Sequence, residues 1–323
     1  MAGRRRRSSR KSPWIVMIVA LVLAFVGWCS NGDFRLEELF SDEMVSDSSQ
    51  ASEVQPVSGE ETQIYYLDVG QGDSQLICLP DGKNILIDSG TQDTADELTA
   101  YLKDLGIEKI DFLIATHPHE DHIGGMKNVV ENFEIGKIYM PKISDSQIPT
   151  TRVYENLLAS IEEKGLKITM AKAGEVILEE NGVKMEILAP NSEKYADLNS
   201  YSIVTKLSVG EKAFLFTGDA ESDSEEEMLA KGYDLKADFL KLGHHGSSTS
   251  NSLDFLKAVS PEAAVISCGV DNDYGHPHQE VLDRLEELGV QVYRTDTQDT
   301  ILVRCDGSSL TVETNLKSIV KTK

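Results

Sequence analysis

Seven histidines occur in this 323-residue chain, in three short stretches and nowhere else. His117, His119 and His122 lie in THPHEDHIGG, His244 and His245 in LKLGHHGSS, and His276 and His278 in YGHPHQE. Histidines that merely fill a core have no reason to group this way. A fold open to this chain must bring distant stretches together, and a bound metal is the simplest reason for it to do so. Neutral imidazole and carboxylate suit Zn²⁺, Mn²⁺ or Fe.

The first cluster follows an apolar run at residues 112–115, read as a buried strand. It therefore sits on a loop at a sheet edge, where sites are commonly built. Pro118 biases His117 towards an extended conformation, and alternate side chains of an extended stretch share a face. His117 and His119 are thus placed to grip one cation together. Asp121 and His122 follow where the chain turns at Gly124 and Gly125, placed to address a second.

The chain around these clusters alternates two textures. Short apolar runs at 64–67, 75–79 and 85–87, separated by GQGD and PDGK, read as antiparallel strands. Helical periodicity appears at 95–105, 126–133, 152–164, 224–231, 252–259 and 279–288. Further strands are expected at 138–140, 168–170, 176–178, 184–188, 203–207, 213–216, 239–242, 263–267 and 291–294. A last hairpin joins 300–304 to 310–313. This order predicts an α+β fold, a four-layer αββα sandwich with two sheets face to face and helices outside.

Charge narrows the function. The net is −23, from 31 basic and 54 acidic residues, and six of the basic ones fall within the first eleven positions. The remainder carries 25 basic residues against 54 acidic ones. Tight non-specific binding along long nucleic acid, which relies on neutralising many phosphates, is disfavoured. The basic start precedes WIVMIVALVLAFVGW at 14–28, which at 1.5 Å per residue spans about 22 Å of helix. Residues 1–30 thus read as a basic N-region with a transmembrane anchor or a cleaved signal, the remainder lying outside the cytoplasm. If the segment is cleaved, the protein is secreted. Residues 31–61 read as an acidic disordered linker, and 62–323 as the folded domain. Cys78, Cys268 and Cys305 fall in or beside predicted strands and read as buried apolar residues.

H-x-H-x-D-H after an apolar strand resembles the metallo-β-lactamase superfamily. YLDVGQGD at 66–73, IDSG at 87–90, FTGDAE at 216–221, LKLGHHGSS at 240–248 and NDYGHPH at 272–278 extend the match in order. Together they resemble the extracytoplasmic hydrolase domain of the competence channel protein ComEC, over roughly residues 62–314. The resemblance implies a metallo-β-lactamase-like sandwich with two divalent ions, Zn or Mn. His117 and His119 would bind the first and Asp121, His122 and His244 the second, with Asp219 bridging. His245 is the alternative to His244, the other imidazole then either supporting a ligand from behind or facing substrate. Many superfamily members supply a further His from mid-domain. Here no His lies between His122 and His244, and the matching segment, 198–204, offers Asn199 and Ser200 instead.

Other residues carry two readings each. Asp68 and Asp73 either shape a tight hairpin or, for Asp73, stand beside the metals. Asp88 reads as an acceptor from a ligand imidazole. His276 and His278 either start a helix or face the site, to hold a phosphate or protonate a leaving group. Two cations lower the pKa of a held water to near 7 and clamp the oxygen attacked, with Asp121 and Asp219 orienting it. The implied activity is extracytoplasmic phosphodiester hydrolysis of the nuclease type, with single-stranded DNA or nucleotides as the expected substrate. The alternatives are a small-substrate phosphodiesterase such as a choline-phosphate esterase, or a non-catalytic metal-binding surface receptor for DNA.

Overall fold

A computed structural model describes residues 61–320. The predicted apolar N-terminal segment and nearly all of the acidic linker lie outside the described residues. Among the described residues, no helix is long and apolar enough to cross a membrane.

The chain runs through β1 (Thr62–Tyr66), β2 (Gln75–Cys78), β3 (Asn84–Ile87), β4 (Lys109–Ile114), β5 (Glu134–Met140) and β6 (Ile168–Met170). It continues with β7 (Val176–Glu180), β8 (Val183–Ala189), β9 (Val204–Val209), β10 (Lys212–Phe216) and β11 (Phe239–Lys241). β12 (Ala263–Ile266), β13 (Gln291–Arg294), β14 (Thr300–Cys305) and β15 (Leu310–Leu316) complete it. One sheet is ordered β15-β14-β1-β2-β3-β4-β5-β6, the other β13-β12-β11-β10-β9-β8-β7.

Side-chain alternation explains why these strands read as continuous apolar runs. Ile64 and Tyr66 of β1 join an apolar layer shared by both sheets, whereas Tyr65 packs with the helices on the other side. Phe239 of β11 likewise faces the inter-sheet layer and Leu240 the outer one. Both faces of each sheet are covered, as in buried parallel sheets. The outer layers hold Leu98, Val129 and Leu157 from helices Ala95–Asp104, Met126–Asn132 and Arg152–Glu163 on one side. Met228, Phe255 and Leu285 from Ser222–Lys231, Leu253–Val259 and Gln279–Leu288 fill the other. Three apolar layers require four structural ones, and the expected αββα sandwich is what forms.

β3 to β6 are parallel, as are β10 to β13. In parallel sheets, ligand sites form outside the carboxyl ends of the strands. The segments after β1, β3, β4, β10, β11 and β12 carry every motif singled out from the sequence except 198–204, which leads into β9.

Candidate metal centre

Backbone hydrogen bonds stitch these segments together. Asp73 N donates to Asp121 O at 3.1 Å, Gly90 N to Asp73 O at 2.8 Å and Ser89 N to His122 O at 2.7 Å. His244 N donates to Gly218 O at 3.1 Å. Close approach explains two glycines. A Cβ at Gly72 would stand 2.5 Å from Asp121 O, and at Gly218, where φ is +52°, 2.9 Å from Thr116 Cβ. Asp121 and His122 lie on a single helical turn, Glu120–Ile123, rather than on the turning loop expected at Gly124 and Gly125. His244 and His245 both adopt left-handed backbone, with φ of 49° and 54°. Each such residue costs about 1–2 kcal/mol, and strain of this kind clusters at functional sites.

The side chains converge on one atom. Asp219 Oδ2 lies 3.2 Å from His122 Nε2, 3.5 Å from His245 Nε2, 3.8 Å from His244 Nε2 and 4.0 Å from His117 Nε2. Asp121 Oδ2 is 3.3 Å from His245 Nε2 and 3.9 Å from His122 Nε2. One ligand atom each from Asp121, His122, Asp219 and His245 lies within 4.8 Å of all the others. Four donors about 2.1 Å from a common tetrahedral centre would stand about 3.4 Å apart, close to these separations. His122 Nε2, His245 Nε2 and Asp219 Oδ1 are buried without a hydrogen-bond partner. Buried polar atoms are rarely left so, and a cation would satisfy all three. The donor set fits a divalent ion.

Surrounding groups fix the donors. Asp88 Oδ2 lies 2.7 Å from His122 Nδ1, which leaves Nε2 turned to the cluster, and Ser267 O lies 2.8 Å from His245 Nδ1. Burial lowers the pKa of His122, but Asp219, Asp88 and Asp121 outweigh it and hold the value well above 6.5. For His245 burial is likewise overcome, here by Asp219 and Asp73. Burial would raise Asp219, yet facing His122 and His245 keeps it well below the carboxylate range. His117 is held well below its ordinary value by burial and by charge on His122.

The remaining predicted residues divide. His117 Nε2 and His119 Nδ1 are 3.0 Å apart, side by side as expected. His244 borders the same oxygen but is bound to Glu221, whose Oε1 is 3.3 Å from its Nδ1. The tight group of four thus takes His245 where the resemblance put His244 first. Asn199 fills the mid-domain position, with its Nδ2 3.5 Å from His244 Nδ1. Asp88 is the expected acceptor, and Asp73 lies wholly buried behind the site, 3.5 Å from His245 Nδ1. His276 lines the cleft above the donors, a cavity of about 500 Å³. Burial, then charge on His245, His244 and His278, pushes its pKa down to about 4. A neutral ring suits holding a substrate oxygen better than giving up a proton. His278 is turned away to Ser248, whose N donates to its Nδ1 at 3.0 Å.

Sequence reasoning missed Lys241. Its side chain follows Phe239 into the inter-sheet register of β11, is completely buried, and pairs with Asp73. The signal was a lone Lys in an apolar strand just before the paired histidines.

A metallo-β-lactamase superfamily model matches residues 67–270, and the chain belongs to that superfamily. Its relatives include ComEC-like competence proteins. ComE operon protein 3 of Bacillus subtilis (strain 168) is 32% identical over 268 residues, covering 78% of this chain and 34% of the relative. Competence protein ComA of Neisseria gonorrhoeae is 35% identical over 231 residues, covering 71% and 30%. The chain therefore spans about a third of the length of these relatives. The diiron β-hydroxylase CmlA from Streptomyces venezuelae shares the fold, with a TM-score of 0.50, 16% identity and coverage of 74% of this chain and 53% of that one.

Proposed function

We propose that this chain is an extracytoplasmic metal-dependent phosphodiesterase of the nuclease type. The observation that carries the reading is the set of unpartnered donors of His122, His245 and Asp219, with Asp121 beside them, at the floor of an open cleft. The competence-related names of its relatives support nucleic acid as the substrate class. Asp121, His122, Asp219 and His245 would hold one divalent ion, and His117 and His119 a second beside Asp219. Zn²⁺ or Mn²⁺ would supply an acidified water and a clamp on the attacked oxygen. Asp88 and Glu221 orient His122 and His244, and His276 holds a substrate oxygen. The apolar segment at 14–28 would tether the domain to the membrane.

A small or single-stranded substrate is favoured over duplex, because among the described residues no Lys or Arg lines the cleft. A choline-phosphate ester is the second reading on the same ground. Metal analysis of the purified chain, with single-stranded DNA, bis-nitrophenyl phosphate and a choline-phosphate ester assayed in Zn²⁺ and Mn²⁺, tests the proposal. Diester cleavage that is lost in Asp121→Ala is expected. A folded, metal-loaded chain that cleaves none of the three would refute it. Unimpaired DNA binding by Asp121→Ala together with an inert wild type would instead favour a receptor.

A further inference from the structure

The two most exposed large apolar side chains among the described residues, Val270 at 69% and Tyr274 at 67%, sit on one loop at the mouth of the cleft. Their exposure is not the by-product of a loose segment. Asn272 pins the loop at its centre: its Nδ2 donates to Gly269 O at 3.0 Å and to His276 O at 2.7 Å, and its Oδ1 accepts from His276 N at 2.9 Å. Tyr274 lines the cleft. Its ring lies 5.6 Å from that of His276, at 19° to it, and the His276 ring lies 6.1 Å from that of His245, at 28°. Near-parallel rings thus lead from the donor cluster outwards and end on an open aromatic face.

The charge around that face selects its occupant. Asp271 and Asp273 stand on the same loop, and the cleft wall carries Glu120 and Asp121 with no Lys or Arg among the described residues. A free phosphate would be repelled there, so what lands on the ring carries no negative charge, and the open flat face of Tyr274 suits a planar ring. We propose that Tyr274, stacked on His276, is a platform for a nucleobase of the strand whose phosphodiester lies at the donor cluster, a subsite that rests on the phosphodiesterase reading. Stacking replaces the basic groove that single-strand binders otherwise use.

The test uses the full chain loaded with Mn²⁺, an oligothymidine and a strand of equal length made of abasic residues. Wild type should favour oligothymidine in kcat/KM by about tenfold, within the range that one base stacked on an aromatic ring supplies, with the difference in KM. Tyr274→Ala should bring the ratio near one, and Tyr274→Phe should keep it. A wild-type ratio near one, or a preference that survives Tyr274→Ala, overturns the platform while leaving the phosphodiesterase reading intact. Fluorescence anisotropy of the same two labelled strands decides the matter without turnover. Oligothymidine binding that Tyr274→Ala does not weaken overturns the inference, and a preference lost with the ring supports it even if neither strand is cleaved.

Discussion

Lys241 shows how much one residue can carry behind a site. Its ammonium and the Asp73 carboxylate are both shut off from water, and removing one partner of such a pair strands the other charge. Lys241→Met should therefore destabilise the chain by about 3–5 kcal/mol, measured by denaturant unfolding. Combining it with Asp73→Asn should recover part of the loss. The donors carry a second expectation. In the metal-free chain His122 and His245 are held above 6.5. The stability they add is complete below that value and is lost as pH rises through their folded values. A divalent ion must displace those protons, so its affinity should climb with pH. Calorimetry in buffers of different ionisation enthalpy should show proton release on metal addition at neutral pH. The grouping of His117, His119, His122, His244 and His245 was legible because no other physical requirement clusters imidazoles. Lys241 and Tyr274 were not legible: a lysine in a strand ordinarily snorkels to water, and a stretch of sequence does not tell an exposed tyrosine from a core one.

Helix Ser222–Lys231 holds the paired-histidine loop in place. Glu225, buried on that helix, accepts from Asn251 N at 2.6 Å and from Ser252 N at 2.9 Å. Asn251 in turn binds Gly243 N and O at 3.0 and 2.9 Å. Glu225→Ala would leave one buried and one half-buried amide unmet. It should cost about 1–3 kcal/mol or more and weaken metal binding through the displaced His245; Glu225→Gln should do less of both. Thermal unfolding and metal titration read the two effects separately. At this scale the long helices were readable. Gln279–Leu288 falls where its spacing predicts, and Ala95–Asp104 within a residue of it. Glu120–Ile123 and Gly243–Gly246 were not, because one turn contains no period to detect. The left-handed backbone of His244 and His245 arises from the bonds around them, which local sequence does not express.

At the largest scale, the net acidic charge and a cleft lined, among the described residues, by no Lys or Arg make electrostatics a poor source of affinity. Binding of oligothymidine should depend little on salt, with a log–log slope well short of that of a protein making several phosphate contacts. Anisotropy between 50 and 200 mM salt, about the range over which such proteins lose their affinity, checks this. The four layers were legible because runs such as that of β1 are apolar on both faces. Where the last hairpin goes was not. β14 returns to pair with β1 at the far end of the chain, and pairing between remote strands leaves no mark in either one alone. The donors are divided between the two sheets: Asp121 and His122 follow β4 of one, Asp219 and His245 follow β10 and β11 of the other. An ion seated among them would therefore be a clasp across the seam of the sandwich, and drawing it out would slacken the join between the halves.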